Sequence, residues 1–187
     1  MFVGSSVDSW LAATPHTIDA SPMSHRELPT PPVATATDPV QSAADLRQRW
    51  RALMGPLGFG EKLLWFAFVG PDRRLTKVLS QVPIGPRPQG RMLRKLMSAL
   101  RTLLDDMASK TTVALLLTGP GRGPISTGDR VWAKSLTETA ERFGVPLEPI
   151  FRANDEALVQ IDGHTNRTTP LPDGIACFRE PKRRHSK

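Results

Sequence analysis

The chain has 187 residues, of which 39% are hydrophobic and 23% charged, and its formal net charge is +7. This length fits one domain of ordinary size, and the longest apolar run, Leu63 to Val69, is far shorter than the roughly 18 apolar residues of a membrane-spanning helix. The start of the chain has no secretory signal pattern, and a single cysteine, Cys177, excludes an internal disulfide. We therefore expect a cytoplasmic protein without a membrane span.

Residues 1–42 form an arm that holds six prolines and many Ser and Thr residues, with a net charge of −3. The arm has no sustained hydrophobic period and is predicted to be disordered, because it cannot bury enough apolar surface to offset the entropy of ordering. An alternative hypothesis is that translation begins at Met23. Residues 162–187, with a net charge of +3, are predicted to be an irregular basic tail.

The remaining segment, residues 43–161, has a net charge of +7 and carries the periodic patterns of a folded domain. Apolar residues at helical spacing around Trp50 predict a short helix over Asp45–Met54, which Gly55 and Pro56 end. The apolar run Lys62–Val69 and the segment Leu75–Ile84 are separated by turn-forming residues, so they are predicted to form a β-hairpin.

The later elements alternate between helix and strand. A helix of about 18 residues is predicted because eight apolar residues from Met92 to Met107 mark one of its faces. A strand at Thr112–Leu117, a helix at Ser126–Phe143 closed by Gly144, and strands at Val145–Phe151 and Ala157–Ile161 follow. The order α-β-β-α-β-α-β-β predicts a single α/β (α+β) domain, with helices packed on one mixed sheet.

The loop Thr118 to Pro124 lies between a strand and a helix, where α/β proteins commonly bind ligands. It lacks the Gly-Lys-Ser/Thr ending of a phosphate-binding loop and the Gly-x-Gly-x-x-Gly spacing of a dinucleotide site, so it is not favoured as a nucleotide site. The pattern Ser126-x-x-Asp129 predicts a cap at the start of the following helix.

This arrangement resembles a known family. The element order, the strand Glu61–Val69, the Arg73-Arg74 pair before the second strand and the segment Leu115–Leu147 are similar to the JAB/MPN metalloprotease-like domain, especially its bacterial RadC-type branch. The resemblance covers roughly residues 45–161 and implies a JAB/MPN-like fold. In that family, an upstream glutamate precedes His-x-His, seven further residues and Ser-x-x-Asp, and the histidines and aspartate hold a catalytic zinc.

The chain departs from the zinc signature at its most specific positions. Alignment on Ser126 and Asp129 places the two histidine positions on Leu116 and Thr118, while Glu61 falls where the glutamate would be. A hydrolytic zinc needs three protein ligands and an open position for water. The resemblance therefore implies a degenerate domain that holds neither a metal nor another cofactor and has no hydrolase activity.

The rest of the chain offers no other catalytic set. The four histidines, His16, His25, His164 and His185, all lie in the flanking segments, so the folded segment has no histidine to act as a base. Cys177 lies in the predicted tail and is interpreted as an incidental exposed thiol.

Two functions remain. The first is a non-catalytic interaction or scaffold module with an unidentified protein partner, which would contact the loop residues Gly119, Gly121, Arg122 and Gly123. The alternative is a nucleic-acid-associated protein whose basic surface binds the phosphate backbone without sequence specificity. Its candidate phosphate contacts are Arg47, Arg51, Arg91, Arg94, Lys95, Arg101, Lys182, Arg183 and Arg184.

Overall fold

The computed structural model describes residues 30–161, which form a mixed α+β domain with three helices packed on a five-stranded sheet. A 3₁₀ helix, Val33–Thr37, comes first. The main elements are α1 (Ala43–Met54), β1 (Leu63–Val69), β2 (Leu75–Pro83), α2 (Gly90–Asp105), β3 (Thr112–Thr118), α3 (Thr127–Phe143), β4 (Phe151–Ala153) and β5 (Leu158–Gln160). This order and the fold class confirm the prediction from sequence. No helix within residues 30–161 is long and apolar enough to cross a membrane.

The sheet has the strand order β2-β1-β3-β4-β5, which places β3 at its centre. Only β3 and β4 are parallel, and every other neighbouring pair is antiparallel. The β1–β3 pairing runs from Leu63 opposite Thr118 to Val69 opposite Thr112. The chain therefore brings the start of β1 and the end of β3 to the same edge of the sheet.

The two faces of the sheet are covered by different helices. Side chains alternate along β3, so Leu115 and Leu117 pack with α2 and α3, whereas Ala114 and Leu116 pack with α1. Trp50 of α1 is fully buried in the second cluster. Because β3 is buried on both faces, it is a continuous apolar run and not an alternating pattern.

One predicted strand is wrong in its position. The segment predicted as a strand over Val145–Phe151 makes only an isolated bridge, between Val113 and Leu147, and the regular strand is Phe151–Ala153. Pro146 and Pro149 lack the backbone N–H that a ladder needs, so pairing becomes regular only after them. The final strand at Leu158–Gln160 and the left-handed Gly144 at the end of α3 agree with prediction.

The predicted boundary at residue 42 also needs correction, because residues 30–42 pack on the domain. Ala36 and Val40 are buried, and the Arg49 side chain donates a 2.8 Å hydrogen bond to the carbonyl of Thr35. These contacts depend on single residues without a repeat, which periodicity does not reveal. Residues 1–29 and the predicted tail, 162–187, lie outside the described residues, as does Met23.

A polar network joins the β1–β2 turn to the segment after α3. Arg73 has a left-handed backbone (φ 59°), and its guanidinium binds both carboxylate oxygens of Glu148, while the hydroxyl of Thr112 donates to the same carboxylate at 2.6 Å. Burial by itself would raise the pKa of Glu148. The hydrogen bonds from Arg73 and Thr112 and the charge of Arg73 outweigh that effect, so the pKa is lowered.

Candidate functional site

A cavity of about 250 Å³ lies between the end of β3 and the start of α3. We call it the loop cavity, because the loop Gly119–Ile125 forms one side of it. It is lined by Lys62, Ile84, Leu117, Thr118, Gly119, Pro120, Arg122, Pro124, Ser126, Asp129, Trp132 and Arg152. Its position at the edge of the sheet follows from the antiparallel β1–β3 pairing, which places Lys62 beside the residues that follow Thr118.

The start of α3 is closed by a capping box, as the Ser126-x-x-Asp129 pattern predicts. The hydroxyl of Ser126 accepts a 3.1 Å hydrogen bond from the backbone N–H of Asp129. The carboxylate of Asp129 in turn accepts from the backbone N–H of Ser126 at 2.9 Å and from its hydroxyl at 2.8 Å. These donors are occupied by the protein itself.

The loop is held by the turn between β4 and β5. The backbone N–H of Gly121 donates to the carboxylate of Asp155 at 2.7 Å, and that of Gly123 donates to the carboxylate of Glu156 at 2.9 Å. The N–H of Gly119 donates to the carbonyl of Ala153 at 3.2 Å. A phosphate cradle needs such amides to be free. These three amides are therefore engaged by acceptors of the protein itself.

Hydrogen bonds to the carboxylate of Asp155 hold the loop in place. The backbone N–H groups of Phe59 and Gly121 both donate to its carboxylate, and these two bonds, helped by the charges of Arg122 and Arg152, lower its pKa. Gly121 and Gly123 have φ values of 104° and 94°, which glycine adopts far more readily than other residues. The loop thus holds a defined shape, with Arg122 exposed between two glycines.

Two residues that sequence reasoning missed complete the cavity wall. The side chain of Arg152 is only 11% exposed, its Nε lies 3.5 Å from the carboxylate of Asp129, and it donates to the carbonyl of Gly123 at 3.0 Å. Lys62 extends its aliphatic stem over Gly119. Pairing of the predicted hairpin with β3 could have placed Lys62 beside the loop. Arg152 could not be placed in this way, because β4 was predicted too early in the chain.

The positions of the JAB/MPN zinc signature are only partly brought together. Thr118, Ser126 and Asp129 line the loop cavity. Leu116 is fully buried in the apolar cluster beneath α1, and Glu61 is exposed; neither lines the cavity. Thr118 is buried, and its hydroxyl accepts a 3.0 Å hydrogen bond from the indole N–H of Trp65.

The structure brings no metal-ligand set together within residues 30–161. There, no three His, Cys, Asp or Glu side chains are close enough to hold an ion. All four histidines and Cys177 belong to the segments outside that range. Asp129, the remaining ligand position of the family signature, is engaged by Ser126 and Arg152.

The candidate phosphate contacts do not form one surface. Arg47 and Arg51 lie on α1, on one side of the sheet, and the remaining described candidates lie on α2, on the other side. Arg101 is paired with Asp105 and donates to the carbonyl of Gly144 at 3.0 Å. Arg91, Arg94 and Lys95 are exposed and form no ion pair within the described part of the chain. Lys182, Arg183 and Arg184 lie outside it.

No family model matches the chain, and a search of curated proteins and of solved structures finds no significant match to it. The geometry of the site therefore carries the functional argument.

Proposed function

We propose that the chain is a non-catalytic, cytoplasmic interaction module, a degenerate relative of JAB/MPN domains, and that the loop Gly119–Ile125 is its contact surface for a protein partner. A preformed loop loses little conformational entropy on binding, which favours recognition. The observation that carries this proposal is the pair of hydrogen bonds from the loop amides to Asp155 and Glu156. They hold the loop backbone in one conformation, in which Arg122 is exposed.

Replacement of Arg122 by Glu tests this surface. We expect a tagged Arg122→Glu protein to lose at least one partner that the wild type retains from native lysate after nuclease treatment, because the substitution reverses the charge at the loop's exposed tip. Arginine is enriched among the residues that dominate binding energy at interfaces. Retained proteins are identified by mass spectrometry.

The matched control is Arg142→Glu, which reverses one exposed charge near the end of α3 and leaves the loop unchanged. Partners should survive this change. Equal retention by wild type and Arg122→Glu would count against the loop as the contact surface.

One observation favours a second function, nucleic-acid binding through α2. Residues 73–104 contain eight basic and no acidic residues. Arg91 lies in the first turn of α2, which has no acidic residue there, and Asp105 is at its end. This distribution opposes the helix dipole, because anionic side chains are favoured at the N-terminus and cationic ones at the C-terminus. Phosphates bound at Arg91, Arg94 and Lys95 would compensate for it.

A pair of double variants tests the second function. We expect the Arg91→Glu/Lys95→Glu protein to bind short random-sequence duplex DNA more weakly than wild type. The slope of the logarithm of affinity against the logarithm of salt concentration should also decrease, by the amount that about two phosphate contacts contribute. The control, Arg130→Glu/Lys134→Glu, makes the same charge change at the same spacing on the exposed side of α3. Equal losses in both variants, or a wild-type affinity that does not fall with salt, would rule out a specific role for α2.

A further inference from the structure

Some of the charged side chains that line the loop cavity form an ion pair, and others do not. Arg152 and Asp129 neutralise each other within it. Lys62 and Arg122 line the same cavity and form no ion pair with any residue in the range 30–161. The wall therefore presents two positive charges that form no ion pair, although the charge of Arg122 also acts on Asp155, and such a site attracts an anion.

The available donors suit a carboxylate better than a phosphate. Phosphate sites in loops use several backbone N–H groups, but Gly121, Gly123 and Ser126 direct theirs to the protein's own carboxylates. The carboxylates of Asp129, Asp155 and Glu156 also bring negative charge close to the loop, which disfavours a dianion more than a monoanion. Within residues 30–161, the ammonium group of Lys62 and the guanidinium group of Arg122 make no hydrogen bond and can donate to a ligand.

The remaining lining is mixed, with Thr118 and Ser126 beside three apolar side chains. Ile84, Leu117 and Trp132 line the cavity, and the indole N–H of Trp132 is occupied by the carbonyl of Gly85 at 3.1 Å. A volume of about 250 Å³ has room for a small group together with a short hydrocarbon segment.

We propose that the loop cavity binds a carboxylate carried on a short aliphatic stem, supplied by an acidic side chain of a protein partner. The carboxylate lies between Lys62 and Arg122, and the stem lies against Leu117 and Trp132. The inference rests on the proposed contact surface, because Pro120, Arg122 and Pro124 are exposed at the cavity and also belong to the loop. A free small carboxylate has the same chemistry, and the experiment separates the two sources.

The test is an NMR titration of the full-length, ¹⁵N-labelled protein with N-acetylglutamate N-methylamide. The amide signals of Gly119 and Ser126 should shift in a saturable way, whereas the neutral glutamine analogue should leave them unchanged and inorganic phosphate should bind more weakly. Lys62→Met and Arg122→Gln should each weaken binding about tenfold, the effect of losing one charge-assisted hydrogen bond. Lys77→Met, on exposed β2, is the matched control and should not change the affinity.

Several results would overturn the inference. Equal binding of the glutamine analogue would show that charge plays no role. Tighter binding of phosphate would show that the cavity prefers phosphate to a carboxylate. Affinity unaffected by Lys62→Met and Arg122→Gln would place the probe elsewhere. If partners depend on Arg122 but the probe does not bind, the cavity inference fails and the contact surface stands. If the probe binds while Arg122→Glu retains every partner, the source is a free carboxylate and the protein-partner assignment is wrong.

Discussion

We expect the Leu116→His variant to lose about 3–5 kcal/mol of unfolding free energy and to bind no stoichiometric zinc, even when combined with Thr118→His. Leu116 is fully buried among apolar side chains beneath α1, so an imidazole there loses hydrophobic contacts and places polar ring nitrogens in an apolar cluster. Asp129 lies at the start of α3, which packs on the opposite face of the sheet. Urea unfolding and metal analysis of the purified protein measure the two effects.

The control is Leu103→His on α2, where the leucine is 45% exposed and the expected loss is below about 1 kcal/mol. A double histidine variant that remained as stable as wild type and held one zinc per chain would contradict this account. It would mean that the two positions reach an open site beside Asp129, as the proposed relation to JAB/MPN domains requires.

Local patterns were sufficient to predict most of the fold. The helices α1, α2 and α3 each bury one apolar stripe, and Gly144 ends α3 in the left-handed conformation that glycine adopts easily. The patterns failed where structure depends on single distant contacts. Val40 is held by a 2.7 Å hydrogen bond to the carbonyl of Arg73, and nothing in the proline-rich sequence around it indicates that partner.

The candidate site was less predictable than the fold, because it combines residues from separate elements. The capping box of Ser126 and Asp129 is local, and a four-residue pattern was enough to predict it. Lys62 and Arg152 reach the cavity only through the pairing of β1 and β4 with β3. Likewise, the hydrogen bond from the loop to Asp155 depends on where the β4–β5 turn lies. Because β4 was predicted at the wrong position, this contact could not be predicted.

The second large loss of stability is expected on substitution of Glu148. We expect Glu148→Ala to lower the unfolding free energy by about 2–4 kcal/mol, because it leaves Arg73 and the hydroxyl of Thr112 without their shared acceptor. The lower part of that range allows for solvent screening, since the side chain of Arg73 is 40% exposed. The network also holds the turn between β1 and β2 against the segment that enters β4. Urea unfolding measures the loss, and Glu138→Gln, in an exposed pair on α3, should change stability by less than about 0.5 kcal/mol.

The pH dependence of the Glu148→Gln variant separates the charge of this network from its packing. The folded-state pKa of Glu148 is lowered, so its carboxylate contributes stability fully above the unfolded glutamate value of about 4.3, and that contribution is lost as the pH falls through the lower folded value. Wild type should therefore be more stable than Glu148→Gln at pH 7, and the difference should shrink below about pH 4 because a protonated glutamate and a glutamine are both neutral. A difference that stayed constant down to about pH 2 would show that the stability comes from side-chain packing and not from the ion pair with Arg73.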